Sequence, residues 1–164
     1  MATALYELSQ SECEDLLRAS TAARVAFVAS DGPHIVPMNY TVLEGSVILR
    51  TSPTSLLGIY GRGARLAIEI DGFDFAHEQG WSVVARGTSQ VIDDVRGTAI
   101  LRAIWKPRLW VAGDRSLTLR IPWDELSGRR IGTGWSVVGS WAVSQAWLGE
   151  VNPPALGYEP SPLL

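Results

Sequence analysis

The alternation of apolar and polar positions divides the chain into an opening helix and a series of short strands. Ser9-Gln10-Ser11-Glu12 has the form of a capping box, with the Ser9 hydroxyl accepting an unpaired N–H of the first turn and Glu12 reaching back to the Ser9 amide. Beyond it Cys13, Leu16 and Leu17 fall on one face at i, i+3 and i+4, Glu14, Asp15 and Arg18 face water, and the pattern fades after Ser20. This predicts a short amphipathic helix. From Arg24 the period shortens to that of strands, over 24–30, 35–42 and 46–51, separated by Asp31-Gly32-Pro33 and Leu43-Glu44-Gly45. These are expected to be consecutive antiparallel strands. Val25, Ala26, Phe27, Val28 and Ala29 are apolar on both parities. That predicts a strand covered on both faces, as in a barrel wall with a helix or a second subunit outside.

Residues 52–61 read as a short helix, with Ser52 as cap, Pro53 at the first helical position, apolar Leu56, Leu57, Ile59 and Tyr60, and Gly61 as stop. Leu66, Ile68 and Ile70 then alternate with Ala67, Glu69 and Asp71 in a strand over 65–71. A loop over 72–80 leads to a long strand over 81–92. Asp93 or Asp94 caps a predicted helix through Trp105, which Lys106-Pro107 ends. Leu117, Leu119 and Ile121 supply the last predicted strand. Past Arg129 the glycines, Pro153-Pro154 and Glu159-Pro160-Ser161-Pro162 predict a loosely held tail, with Trp135, Trp141 and Trp147 as anchors onto the body.

The length of 164 residues suits one domain. With 14 basic and 17 acidic residues the net charge is -3, so broad electrostatic capture of nucleic acid or an anionic membrane is not expected and any anion site must be local. A single cysteine, Cys13, forms no internal disulfide, and the first thirty residues lack a secretory pattern, so a cytoplasmic protein is expected. No apolar run approaches the roughly twenty residues that span a bilayer. Seven tryptophans offer large flat surfaces to a core, a dimer interface or a planar ligand.

Two segments carry candidate chemistry. In Arg50-Thr51-Ser52-Pro53-Thr54-Ser55 a strand ending in an arginine runs straight into a helix start. Such a place suits a phosphate, with Arg50 as a forked cation and the Thr51, Ser52 and Ser55 hydroxyls as donors; spacing alone favours an ordinary helix cap beside a surface arginine, since Ser/Thr caps are found on most helices. In Val36-Pro37-Met38-Asn39-Tyr40 a proline interrupts a strand pattern. The ladder is open there, either as a guarded edge or as a place where backbone groups and the Asn39 amide meet the polar edge of a heterocycle while Met38 or Tyr40 packs on its face. With only His34 and His77, neither a zinc cluster nor a Cys-His nucleophile is supported, and no catalytic residue is identified. His34 reads as a turn histidine beside Gly32-Pro33. Catalysis here would draw its chemistry from a cofactor.

In order and spacing these pieces resemble the pyridoxamine 5'-phosphate oxidase-like family of FMN-binding split-barrel proteins, in its small branch common in actinobacteria. The carriers of the resemblance are Leu8-Ser9, Arg24-Val25-Ala26-Phe27-Val28, Val36-Pro37-Met38-Asn39-Tyr40, Leu49-Arg50-Thr51, Gly80-Trp81-Ser82-Val83-Val84-Ala85-Arg86-Gly87 and Gly128-Arg129-Arg130-Ile131. The resemblance implies a mainly β fold with flanking helices, a six-stranded antiparallel split β-barrel over 1–131 with a tail over 132–164 partly ordered against it. It also implies a homodimer with two FMN sites between the subunits. The segment Pro37, Met38 and Asn39 would meet the isoalloxazine edge. Arg50, Thr51, Ser52 and Ser55 would hold the phosphate, and Trp81 would lie near the flavin or across the interface. The family often carries a lysine where this chain has Leu56, and the loss of one charge-assisted contact costs about 1.5 to 3 kcal/mol, or roughly ten- to a hundredfold in affinity. Arg62, Arg65 and Arg108 are candidates to compensate.

The function implied is a flavoprotein oxidoreductase that passes electrons to a small molecule. Two alternatives accompany it: a reductase using a deazaflavin coenzyme on the same fold, and a non-catalytic flavin carrier, sensor or cofactor-free interaction module. No metal, nucleic acid or membrane partner is expected.

Overall fold

Ser9 opens the first helix as the capping box requires. In the computed structural model, which describes residues 5–93 and 114–132, the Ser9 hydroxyl accepts from the Glu12 amide and the Glu12 carboxylate accepts the Ser9 N–H at 2.8 Å. Those bonds, from the Ser9 backbone first and its hydroxyl second, hold the Glu12 carboxyl below the usual carboxylate value. The helix α1 (Gln10–Ala19) buries Cys13, Leu16 and Leu17, the face that the spacing marks. A β-carbon on Gly128 would come within 2.7 Å of Cys13 Sγ, so the absence of a side chain there lets α1 lie directly on the sheet.

Among the described residues nine antiparallel strand segments follow the order β1-β9-β6-β5-β2-β3-β4-β8-β7. They are β1 (Leu5–Glu7), β2 (Ala22–Ala29), β3 (Gly32–Leu43), β4 (Ser46–Thr51), β5 (Arg65–Asp74), β6 (Gln79–Thr88), β7 (Gln90–Ile92), β8 (Leu117–Pro122) and β9 (Glu125–Ile131). A second helix, α2 (Leu56–Tyr60), lies between β4 and β5. The β5 residue Ile68, the β2 residue Val25 and the β8 residue Leu119 are each fully buried.

Two strands turn this ladder into a barrel by changing partners. Strand β3 pairs with β2 over Gly32–Asn39 and with β4 from Tyr40 to Leu43. The run β6–β7 pairs with β5 and β9 before Ser89 and with β8 after it. At the Ser89 kink the amide donates to Ala64 O at 2.9 Å and the hydroxyl donates to Gly61 O. Near it, a β-carbon on Gly87 would collide with the Pro122 carbonyl oxygen, and the Asp124 amide donates to Arg86 O at 3.0 Å, so β6 closes against the β8–β9 turn.

The split-barrel class stands, with a different strand count. The expected six become nine because β1 and β9 add two and the expected strand over 81–92 breaks at Ser89 into β6 and β7. Among the described residues the last strand is therefore β9 and not the run through Leu117, Leu119 and Ile121. The alternation of residues does not mark β9, which takes its place through non-local pairing with β6. The helix expected over 52–61 is shorter, because Ser52 to Ser55 forms a turn and Ser55, not Ser52, is the cap. Only one face of β2 is covered within the protomer: Val28 is 70% exposed, as is Ile35 of β3 at 68%. The helix expected after Asp93 and the tail anchors lie outside the described residues.

Candidate functional site

The site grows from the point where β3 changes partners. Among the described residues no strand pairs with the second edge of β3 between Gly32 and Asn39, so alternate backbone groups there are available to a ligand or another chain. Pro37 sits on this stretch opposite Arg24, exposed. Met38 and Asn39 are half-buried, and the Asn39 amide donates to Thr21 O at 3.4 Å. Tyr40 does not face a ligand: it is 1% exposed and its hydroxyl donates to Leu17 O at 2.7 Å, tying β3 to α1. Burial pushes the Tyr40 phenol above its ordinary value, so it stays a donor.

Tyr40 pairs with Leu49 in the last β3–β4 pair, so Asn39 and Arg50 each lie one residue beyond it, Asn39 paired with Ala22 of β2 and Arg50 with Thr118 of β8. The heterocycle candidate and the phosphate candidate thus both adjoin the end of the β3–β4 pairing although eleven positions separate them in the chain. Arg50 is half-buried at the end of β4 and Thr51 is buried. The hydroxyls beyond it form a closed relay. Ser55 donates to Ser52 O at 2.9 Å and accepts from the Gly58 amide at 2.9 Å, so the 2.8 Å contact between Thr51 Oγ1 and Ser55 Oγ has Thr51 as donor. Ser52 Oγ lies 2.9 Å from Thr54 Oγ1. Gly58 permits the compact turn, since a β-carbon would collide with Ser52 O. Thr51 and Ser55 therefore shape the turn, and α2, five residues long, brings little dipole of its own.

Of the three arginines considered as substitutes for the missing lysine, two are engaged elsewhere. Arg62 Nε donates to Gly58 O at 2.7 Å, and Arg65 forks onto Asp124 at 2.8 and 2.9 Å. Arg108 lies outside the described residues. The cation that the fold does bring to the strand end is Arg115, whose Nη1 donates to Arg50 O at 3.4 Å. Nothing in the sequence flagged it, because its neighbourhood with Arg50 comes from β4–β8 pairing. Leu56, at the position of the absent lysine, is 47% exposed.

Trp81 stands apart from this group. It lies on β6, separated from β3 by β5 and β2, and is 8% exposed. Its indole covers Gly72 of β5, where a β-carbon would come within 2.8 Å of Nε1. Its other neighbour in the row is Arg130, whose guanidinium carbon sits 5.1 Å from the Tyr6 ring centre. His34 is placed on β3 and not in a turn, stacked on Phe27 at 5.5 Å with Nε2 2.8 Å from Asp31 Oδ1. Among the described residues there is no cluster of three metal-ligating side chains and no helix long and apolar enough to cross a membrane.

A family model described as pyridoxamine 5'-phosphate oxidase matches residues 9–130. An uncharacterized protein of Mycobacterium tuberculosis is 30% identical over 132 residues, covering 77% of this chain and 86% of that one. An FAD binding protein from Mycobacterium smegmatis superposes with a TM-score of 0.64 at 28% identity, covering 76% of this chain and 97% of that chain. A putative pyridoxamine 5'-phosphate oxidase from Corynebacterium glutamicum shares the fold, with a TM-score of 0.66 at 23% identity, over 82% of this chain and 99% of the other.

Proposed function

The chain belongs to the pyridoxamine 5'-phosphate oxidase family, and from that premise we propose that it binds FMN between two copies of itself and passes electrons to a small molecule. The observation that carries this reading is the unpaired edge of β3 ending beside Arg50. A flavin needs hydrogen-bond partners for a flat heteroaromatic edge and a cation for its phosphate about one ribityl chain away, and the β3–β4 switch offers both kinds of group on neighbouring strands.

Pro37, Met38 and Asn39 take the ring edge in this reading. Arg50 and Ser52 take the phosphate, and Thr51 and Ser55 hold the turn in shape. Bound flavin supplies hydride and single-electron chemistry that no side chain of the site possesses. The residues of the chain bind it, orient it and exclude water.

Two features support a dimer. Val28 and Ile35 are exposed on the outer face of the sheet that carries Pro37, and a barrel this small has little concavity of its own. Trp81 lies on β6 with β5 and β2 between it and β3, its indole over Gly72, and in this reading it meets the cofactor only through the seam between subunits.

FAD is the second reading. The Mycobacterium smegmatis relative is an FAD binding protein, and exposed Leu56 and Ile59 give α2 an apolar surface beside the phosphate turn, where an adenine could rest.

Fluorescence titration tests the assignment. Arg50→Ala is expected to weaken FMN about ten- to a hundredfold while changing phosphate-free riboflavin little. Equal loss for both ligands overturns the phosphate role of Arg50. Colourless protein whose melting temperature is unchanged by excess FMN or FAD overturns flavin binding itself.

A further inference from the structure

We infer that Arg115 is the second cation of the phosphate grip, standing in for the charge that Leu56 does not carry; this rests on the flavin-nucleotide reading above. Arg115 is half-buried and takes part in none of the ion pairs among the described residues. Its contact with Arg50 O occupies one of five guanidinium N–H donors, leaving a fork that fits a phosphate oxygen pair.

Its position is set by the fold. The Asp114 carboxylate accepts the Ser116 amide at 2.9 Å and the Ser116 hydroxyl at 3.2 Å, which fixes the turn carrying Arg115. The same bonds engage the one carboxylate next in sequence to it. Two residues further on, Leu117 pairs with Thr51, so the turn is anchored to the end of β4 at the residue that starts the hydroxyl relay. Arg62 and Arg65, the other nearby arginines in sequence, are tied to Gly58 O and Asp124. In this assignment the second cation stands on the turn before the strand that pairs with β4, and not on the helix that follows β4. The ligand group is a phosphate monoester in FMN or the pyrophosphate in FAD.

The test compares FMN, FAD and riboflavin by fluorescence titration on the full chain, with Arg50→Ala, Arg115→Ala and Arg115→Lys. Arg115→Ala is expected to lose about ten- to a hundredfold in affinity for the nucleotide that binds the wild type, with riboflavin changed about twofold or less. Arg115→Lys should recover part of the loss, since it keeps the charge and not the fork. Loss in the FMN arm assigns a monoester; loss confined to FAD assigns the pyrophosphate. Unchanged nucleotide affinity in Arg115→Ala, beside a loss in Arg50→Ala, overturns the assignment and leaves the flavin reading standing. Equal weakening of riboflavin and nucleotide, with a lowered melting temperature that Arg115→Lys does not restore, makes Arg115 a strand tie and also overturns it. Wild-type protein that binds neither nucleotide overturns the flavin reading, and this assignment with it.

Discussion

Strands β3 and β5 are neighbours of the same strand, β2, and use their backbones in opposite ways. Strand β5 is paired with β6 along its whole length and with β2 over residues 67–69, and its side chains alternate between the core positions Leu66, Ile68 and Ile70 and an outer row. On that outer row Glu69 and Asp71 meet Arg24 of β2 at 2.9 and 2.6 Å. Strand β3 has one paired edge until Asn39, then exchanges β2 for β4. Its outer row is apolar and exposed, with Ile35 in register with Ala26 and Pro33 with Val28. A stretch paired on both edges, as over residues 67–69 of β5, gives stability and no free backbone group to bind with. A strand left open on one side gives up part of that stability and keeps hydrogen-bonding groups for another molecule.

The largest effect should come from the closed side. Ile68→Ala, at a fully buried position paired on both edges, is expected to destabilise the protein by about 2 to 5 kcal/mol in urea or thermal unfolding. Ile35→Ala, removing a comparable side chain from the open strand, should change protomer unfolding by about 0.5 kcal/mol or less, and its effect should appear as a smaller mass in sizing chromatography at low concentration. If the two variants unfold alike, the distinction between the strands is wrong.

The hinge of β3 gives an intermediate effect. Tyr40→Phe removes the hydroxyl that donates to Leu17 O and leaves a buried carbonyl without that donor, for an expected cost of about 1 to 3 kcal/mol in the same unfolding measurement. A loss of flavin affinity larger than the loss of stability explains would make the hinge part of the binding face.

Smallest of the three is the cap of α1, remote from the open edge. Ser9→Ala is expected to cost about 1 kcal/mol. It should also flatten the acid limb of the stability curve. The Glu12 carboxyl is lowered in the folded protein, so its contribution is complete above its unfolded value near 4.5 and is lost as pH falls toward the folded one. Unfolding followed between pH 3 and pH 6 should show that slope in the wild type and less of it in the variant.

The legibility of the molecule follows the same division. The face of α1, the alternation of β5 and the interruption at Pro37 could all be read from residues within a few positions of one another, because they arise from local geometry. The β9 strand was missed because Gly128 is there for the approach of Cys13, a contact formed by residues 115 positions apart. The helix after β4 was read as too long because Ser52 and Ser55 are both good caps, and only the bond from the Gly58 amide to Ser55 decides between them.

By itself, then, the order of residues determined the face of α1, the strands from β2 to β5, the open place in β3, the arginine at the end of β4 and the family, since each depends on short-range periodicity or on motifs in sequence order. Tertiary structure alone decided that Asn39 and Arg50 both adjoin the end of the β3–β4 pairing, that Trp81 covers Gly72 and that Arg115 reaches the β4 end. Those neighbourhoods are set by strand register and by the exchange of partners at Asn39 and Ser89, which depend on how the whole sheet closes on its core.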